Sequence, residues 1–283
     1  ALDTGAYNVV ITDDEGCIKD TSFNITQPDS IIIDTIVTHV DCYGNQNGAI
    51  DVAVTGGTAS TVYNYLWSIV NPGSGIVPND EDQTGLSGGL YHLIITDDNG
   101  CQDSIDVVVN EPDTLFFSGV VSDVSCYDQI DGSITLNLSG GSSPYNTTWT
   151  SSIVGWIDPG TDDLNNLDSG SYFLNIIDDN GCSYDTTFII TKPSEVFASG
   201  STSNVVCYNN ADGTITLNTN GGSGNYIWSW TGPNGFTSSN ESLTALDTGA
   251  YNVVITDDEG CIKDTSFNIT QPDSIIIDTI VTH

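Results

Sequence analysis

The first 39 residues, ALDTGAYNVVITDDEGCIKDTSFNITQPDSIIIDTIVTH, recur letter for letter as residues 245–283. A chain that restates itself is built from repeats, so the spacing of its rarest residues limits what it can fold into. Seven cysteines, Cys17, Cys42, Cys101, Cys126, Cys182, Cys207 and Cys261, stand at gaps that alternate between 25 and a longer interval of 59, 56 or 54. A tyrosine lies ten residues before each cysteine of one type (Tyr7, Tyr91, Tyr172, Tyr251), and a proline eleven after it (Pro28, Pro112, Pro193, Pro272). After each cysteine of the other type a glycine follows at six residues (Gly48, Gly132, Gly213) and a Gly-Gly pair at fourteen (Gly56, Gly140, Gly221). The prolines step by 84, 81 and 79 residues, which sets a module of about 80. Module boundaries follow at 1–29, 30–113, 114–194, 195–273 and 274–283. The first is the second half of a preceding module and the last the first strand of the next, as expected for a stretch of a longer array.

Composition narrows the function classes. Three Lys and no Arg stand against 38 acidic residues, for a net charge of −35. Such a polyanion repels nucleic acid and anionic lipid, whose phosphates are held by Lys and Arg. Acidity of this order also occurs in disordered chains, but 38% hydrophobic residues spread evenly along the sequence are enough to build cores. Strand formers alternate with Gly, Asn, Asp and Ser clusters, and no stretch of ten residues carries a 3.6-residue apolar period, so the fold class is all-β. No apolar run approaches 18 residues and no basic-then-apolar leader is present.

Within one module SIIIDTIVTHVDC predicts a first strand, GAIDVAVTGG a second ended by glycines, and YNYLWS a third carrying a core tryptophan. A variable polar loop follows, then a hairpin around an Asp-Asn-Gly turn. Leu-x-x-Gly-x-Tyr before that hairpin (Leu86, Gly89 and Tyr91 in one copy) fits the tyrosine corner of immunoglobulin-like sandwiches. Tyr7, Tyr91, Tyr172 and Tyr251 are read as the corner tyrosines, and Trp67, Trp149 and Trp228 as core tryptophans. A core of about 80 residues is thin and gains from covalent staples.

Together these motifs resemble the SprB-type repeat, a PKD-like and immunoglobulin-like module of Bacteroidota surface proteins. The resemblance rests on CYGNQNGAI…TGG…YNYLW…LSGGLYHLIITDDNGC…EP and its two counterparts, CYDQIDGSI…GC…KP and CYNNADGTI…GC…QP, and spans essentially the whole chain. The departures are an extra residue between Tyr145 and Trp149 and a Gly after Cys-Tyr only at Gly44. The resemblance implies very large adhesins exported by type IX secretion and held at the outer membrane as extracellular filaments, some serving gliding motility. Partners implied are neighbouring modules, a surface polysaccharide or substratum, and the envelope anchoring and motility machinery.

An oxidising compartment suits the cysteines, but sequence leaves their pairing open. In a sandwich 30–40 Å tall (ten extended residues span about 33 Å), the hairpin-turn cysteine sits at one end and the Cys-Tyr cysteine at the other. Because a disulfide needs Cα atoms within about 7 Å, pairing between modules, Cys42–Cys182 and Cys126–Cys261, competes with pairing inside them, Cys42–Cys101, Cys126–Cys182 and Cys207–Cys261. Pairing across the 25-residue interval is a third scheme. Under the first, Cys17, Cys101 and Cys207 seek partners in other modules.

Three further groups of residues are candidates for chemistry. Asp97 and Asp98, Asp178 and Asp179, and Asp257 and Asp258 are oxygen donors of the kind Ca²⁺ takes, but none matches an EF-hand loop and hairpin-turn chemistry on an acidic surface is the preferred reading. No other cofactor is indicated. Asp-(Ser/Thr)-(Ile/Leu/Thr) triplets resembling an O-glycosylation signal mark Ser30, Thr35, Ser104, Thr114, Thr186, Ser274 and Thr279. The histidines His39, His92 and His283 form no catalytic order or zinc spacing, so no enzyme is expected. Trp156 and Trp230, extra to one per module, are candidate ligand contacts. The sequence therefore reads as a stretch of extracellular stalk. The alternatives are an array of carbohydrate-binding modules gripping glycan with the loops 69–85, 150–166 and 231–243, or a spacer for a terminal enzyme.

Overall fold

The computed structural model describes residues 1–58 and 62–280; His283 lies outside the described residues. In chain order the strands are β1 Gly5–Thr12, β2 Ile18–Ile25, β3 Asp29–Thr38, β4 Gly48–Gly57, β5 Asn64–Asn71, β6 Gln83–Leu86, β7 Gly89–Thr96, β8 Gln102–Val109, β9 Phe116–Ser122, β10 Gly132–Ser139 and β11 Asn146–Ser151. They continue as β12 Leu164–Leu167, β13 Gly170–Ile177, β14 Ser183–Ile190, β15 Phe197–Ser203, β16 Gly213–Asn220, β17 Tyr226–Thr231, β18 Thr237–Ser238, β19 Leu243–Leu246, β20 Gly249–Asp257 and β21 Ile262–Ile269. Among the described residues the only helical element is one 3-10 turn, Pro233–Gly235.

The chain divides into two compact units. The first is Ala1–Phe116 with Ser139–Tyr145 and Ile177–Ser183; the second is Phe117–Leu138 with Asn146–Ile176 and Tyr184–His283. In the first, sheets β3-β4-β6 and β5-β7-β8 face one another, and hairpin β1-β2 forms a sheet of its own. In the second, β15-β16-β19 faces β18-β17-β20-β21. The middle copy repeats the order as β12-β10-β9 and β11-β13-β14. Setting aside the two-residue β18 of the last copy, one sheet takes the first, second and fourth strands of a copy and the other takes the third, fifth and sixth. That is the immunoglobulin-like arrangement.

Alternation along each strand builds the cores. Tyr91, Leu93 and Ile95 of β7 are fully buried and meet Ile50 and Leu86 from the opposite sheet. Tyr251, Val253 and Ile255 do the same against Ile215 and Leu246. The Gly-Gly pair has a steric cause. Gly56, Gly140 and Gly221 have φ of +81°, +71° and +79°, and a Cβ there would lie 1.9–2.0 Å from the carbonyl oxygen of Ser30, Thr114 or Glu195. Only glycine permits both the left-handed backbone and that approach.

Two features differ from the sequence reading. In the third copy the buried tryptophan is Trp230, 1% exposed, and not Trp228, which is half-buried and donates its indole N–H to Thr219 Oγ1 at 3.1 Å. The reason is register. Tyr63, Tyr145 and Tyr226 each donate a hydroxyl hydrogen bond to the carbonyl of the first glycine of the pair, and four residues further on the same face stand Trp67, Trp149 and Trp230. Aligned on that tyrosine, the middle copy has no extra residue. The second difference is a short strand, β6, β12 or β19, just before the corner motif, paired antiparallel to the second strand of its copy with a shift of register. Its third residue takes positive φ in each copy, at Gly85, Asn166 and Ala245, which turns both ends of the strand into the core.

Truncation of the two third-copy tryptophans separates these assignments. Trp230→Ala is expected to cost about 3–5 kcal/mol and Trp228→Ala about 1–2 kcal/mol, read from denaturant midpoints. Equal losses would return the core position to Trp228.

Candidate functional site

The residues that carry chemistry cluster at the two ends of each sandwich. At one end is the turn after the fifth strand. Asp97 Oδ1 accepts the N–H groups of Asn99 and Cys101 at 3.0 and 2.8 Å, while Oδ2 accepts the Thr58 N–H at 2.9 Å and its hydroxyl at 2.7 Å. Asp178 holds Asn180, Cys182 and Ser142 in the same way, and Asp257 holds Glu259, Cys261 and Ser223. These three carboxylates are buried. Led by the Thr58 hydroxyl, the donors around Asp97 hold its carboxyl down at about 2.

This bears on calcium. Both oxygens of the first aspartate in each turn are taken by backbone donors; Asp98, Asp179 and Asp258 are exposed, and Asp258 Oδ2 accepts the backbone and side-chain N–H groups of Asn225 at 2.9 and 3.2 Å. Among the described residues no group of three or more His, Cys, Asp or Glu is placed to hold a metal ion.

At the other end is the loop after the first strand. Its fold depends on an acceptor the sequence reading missed. Asn47 Oδ1, Asp131 Oδ1 and Asp212 Oδ1 accept the N–H of Asp41, Ser125 and Val206 at 3.3, 2.9 and 3.0 Å. The signal was present as Asn-Gly or Asp-Gly five residues after each Cys-Tyr cysteine. His39 serves the same loop, its Nδ1 accepting the Asn110 N–H at 3.0 Å, as Asp123 and Asn204 accept from Thr191 and Thr270 in the other copies. Its role is that of a hydrogen-bond acceptor.

The cysteines join the two ends of consecutive copies. Within the first unit Cys42 is bonded to Cys182 with Cα atoms 5.7 Å apart. Beside it Asn180 donates its side-chain amide to Asp41 O and to Ser142 Oγ, both at 2.9 Å. Within the second unit Cys126 is bonded to Cys261 with Cα atoms 5.6 Å apart. The pairings Cys42–Cys101, Cys126–Cys182 and Cys207–Cys261 are not made; Cys17, Cys101 and Cys207 are free and exposed. Near the second bridge Lys263 pairs with Glu195 at 2.8 Å. Lys192 pairs with Asp168 at 3.1 Å, its ammonium 5.1 Å from the centre of the Tyr127 ring.

The corner tyrosines fix the hairpin. Tyr7, Tyr91, Tyr172 and Tyr251 each donate to the carbonyl four residues back, on Asp3, Ser87, Asp168 and Asp247, at 2.8–3.1 Å. Of the two tryptophans read as extra, Trp230 is buried and Trp156 is half-buried. Trp230 is core, and Trp156 packs edge-on against Tyr172 at 5.6 Å, as Phe236 does against Tyr251 at 5.3 Å. Among the hydroxyls of the triplets, Ser30, Ser104, Thr114, Ser274 and Thr279 are exposed, and Thr35 and Thr186 are half-buried.

Three stretches, residues 35–71, 118–152 and 199–235, match the family model of the SprB repeat. At these three places the chain carries SprB repeats. Each match begins in the first strand of a copy and runs through its cysteine loop, its Gly-Gly pair and into or past its third strand. No curated protein matches the chain in sequence. Among solved structures it is similar to the N-terminal eight Ig domains of Down syndrome cell adhesion molecule, at 11% identity and TM-score 0.43, covering 96% of this chain and 40% of that one. It is also similar to extracellular domains 3–5 of Drosophila OTK, at 11% identity and TM-score 0.31, covering 87% of this chain and 93% of that one. The chain thus spans less than half the length of the first of these.

Two outcomes test the ends of the SprB repeats. Asp97 is depressed in the folded state, so its contribution is complete above about pH 4, the ordinary carboxylate range, and is lost as pH falls toward about 2. Asp97→Asn should flatten the loss of stability of the first unit over that window; an unchanged acid profile would remove Asp97 from the account. Closing a loop of 140 residues predicts that Cys42→Ser with Cys182→Ser lowers stability by about 3–5 kcal/mol. Cys101→Ser is expected to leave the melting temperature in place, and equal effects would contradict the pairing.

Proposed function

We propose that the chain is part of an extracellular, non-enzymatic adhesin stalk, built of SprB repeats with boundaries near residues 30, 114, 195 and 274 and carried on the cell surface. The observation that supports this most directly is the covalent joining of consecutive SprB repeats, Cys42 to Cys182 and Cys126 to Cys261. Disulfides of this kind persist in oxidising surroundings, and their value lies in linking neighbours along an array. A net charge of −35 keeps such arrays from associating with one another. Gliding motility is the specific role we assign, on the resemblance to adhesins that serve it. The exposed triplet hydroxyls, Ser30, Ser104, Thr114, Ser274 and Thr279, are the proposed O-glycosylation sites, with Thr35 and Thr186 less accessible.

The burial of Trp230 and the edge-on packing of half-buried Trp156 and Phe236 against Tyr172 and Tyr251 favour a stalk over a glycan-gripping array, because saccharide platforms need aromatic faces open to solvent. Antibodies raised against the chain are expected to label intact, unpermeabilised cells of the source organism as surface filaments, and to impede gliding when present in excess. Labelling that appears only after lysis would overturn the surface reading. Surface labelling with unimpeded gliding would leave the stalk and remove the motility role.

A further inference from the structure

The two disulfides change which parts of the chain can feel tension. Cys42 is joined to Cys182 across 140 positions and Cys126 to Cys261 across 135. The two loops overlap, because Cys126 comes before Cys182. A chain pulled by its ends transmits load along its shortest covalent route. We propose that the disulfides reroute tension through the array. Load enters along residues 1–42, crosses to Cys182, runs backwards through the middle copy to Cys126, crosses to Cys261 and leaves through residues 262–283. Residues 43–125 and 183–260 stand outside this route, and with them the connections at Pro112 and Pro193.

The rerouting also changes which strands are loaded. Without the bonds, a pull reaches the middle copy through its first and last strands, β9 and β14, each at a sheet edge with one hydrogen-bonded neighbour. With them, the pull arrives at Cys126, on the approach to β10, and at Cys182, just past the end of β13. Both β10 and β13 are central strands, held by neighbours on both sides, β12 and β9 for one, β11 and β14 for the other. Ladder hydrogen bonds lie perpendicular to the strands, so a strand drawn lengthwise strains its whole row at once, and a central strand has two rows. The free Cys101 and Cys207 repeat the local positions of the bonded cysteines, so the same route extends wherever further SprB repeats complete them. This inference concerns the covalent route alone and stands apart from the adhesin reading, which surface labelling tests separately.

Single-molecule pulling on the oxidised full chain, with handles at its termini, decides it. Fully unfolded, the oxidised chain is expected to reach less than half the length of the reduced one, roughly 400 Å against roughly 950 Å at the span of an extended residue. Ten Gly/Ser residues inserted after Pro193 should add nothing to the oxidised chain and about 35 Å to the reduced one. An oxidised variant that lengthens would overturn the route, whatever the state of folding. With the disulfides intact, the middle copy should open at higher force from terminal handles than from handles at positions 114 and 191, which load β9 and β14 directly. Equal or lower force from the termini would overturn the transfer of load to the central strands.

Discussion

The buried aspartate at the end of the fifth strand is the interaction on which the rest of each copy depends. One oxygen of Asp97, Asp178 or Asp257 closes the hairpin turn and fixes the backbone N–H of the cysteine four residues on; the other holds the residue after the Gly-Gly pair. A single carboxylate therefore ties the sixth strand to the corner where the second strand ends, and sets the position of the cysteine. In hairpin β1-β2 the same aspartate, Asp13, makes the turn bonds to Glu15 and Cys17. The turn is a local structure, and the tie to the glycine corner is added by the sandwich.

From that point the covalent organisation follows. With one cysteine in the hairpin turn and the other in the loop after the first strand, each copy has a bonding group at either end. Neither partner is within its own sandwich. The sulfurs meet where a loop of one copy lies against the turn of the next, with Asn180 hydrogen-bonded across to Asp41. A small core in each copy is thereby supplemented by bonds that cross between copies. Covalent closure thus takes two consecutive copies.

How legible this was varied by element. The cysteine, tyrosine and glycine spacings were readable because each answers to a fixed backbone requirement: a turn, a corner hydrogen bond, a left-handed residue against a carbonyl. The third-copy tryptophan was misread because Trp228 and Trp230 lie on the same face of one strand, two residues apart, and only alignment on Tyr226 separates core from margin. Short strands β6, β12 and β19 were hidden because a residue of positive φ breaks the two-residue alternation that marks a strand. Asn47, Asp131 and Asp212 were visible as residues, but their task of holding the cysteine loop appears only when the loop is closed.

The duplicated ends separate what the sequence determines alone from what tertiary structure decides. Residues 5–25 and 249–269 are identical, and both form the same antiparallel hairpin with the same pairing. Turn chemistry and alternation were sufficient for that. Yet Val253 and Ile255 are wholly buried, while their counterparts Val9 and Ile11 are 43% and 63% exposed. Likewise residues 30–36 belong to strand β3 paired with β4, whereas the identical residues 274–280 form no strand and leave Ile275 92% exposed. A hairpin draws its pairing partner from its own next strand, so the local sequence specifies its register. A first strand takes its bonds from a neighbour and a core takes its burial from an opposing sheet, so the same letters acquire strand, core and disulfide only where the rest of the sandwich is present.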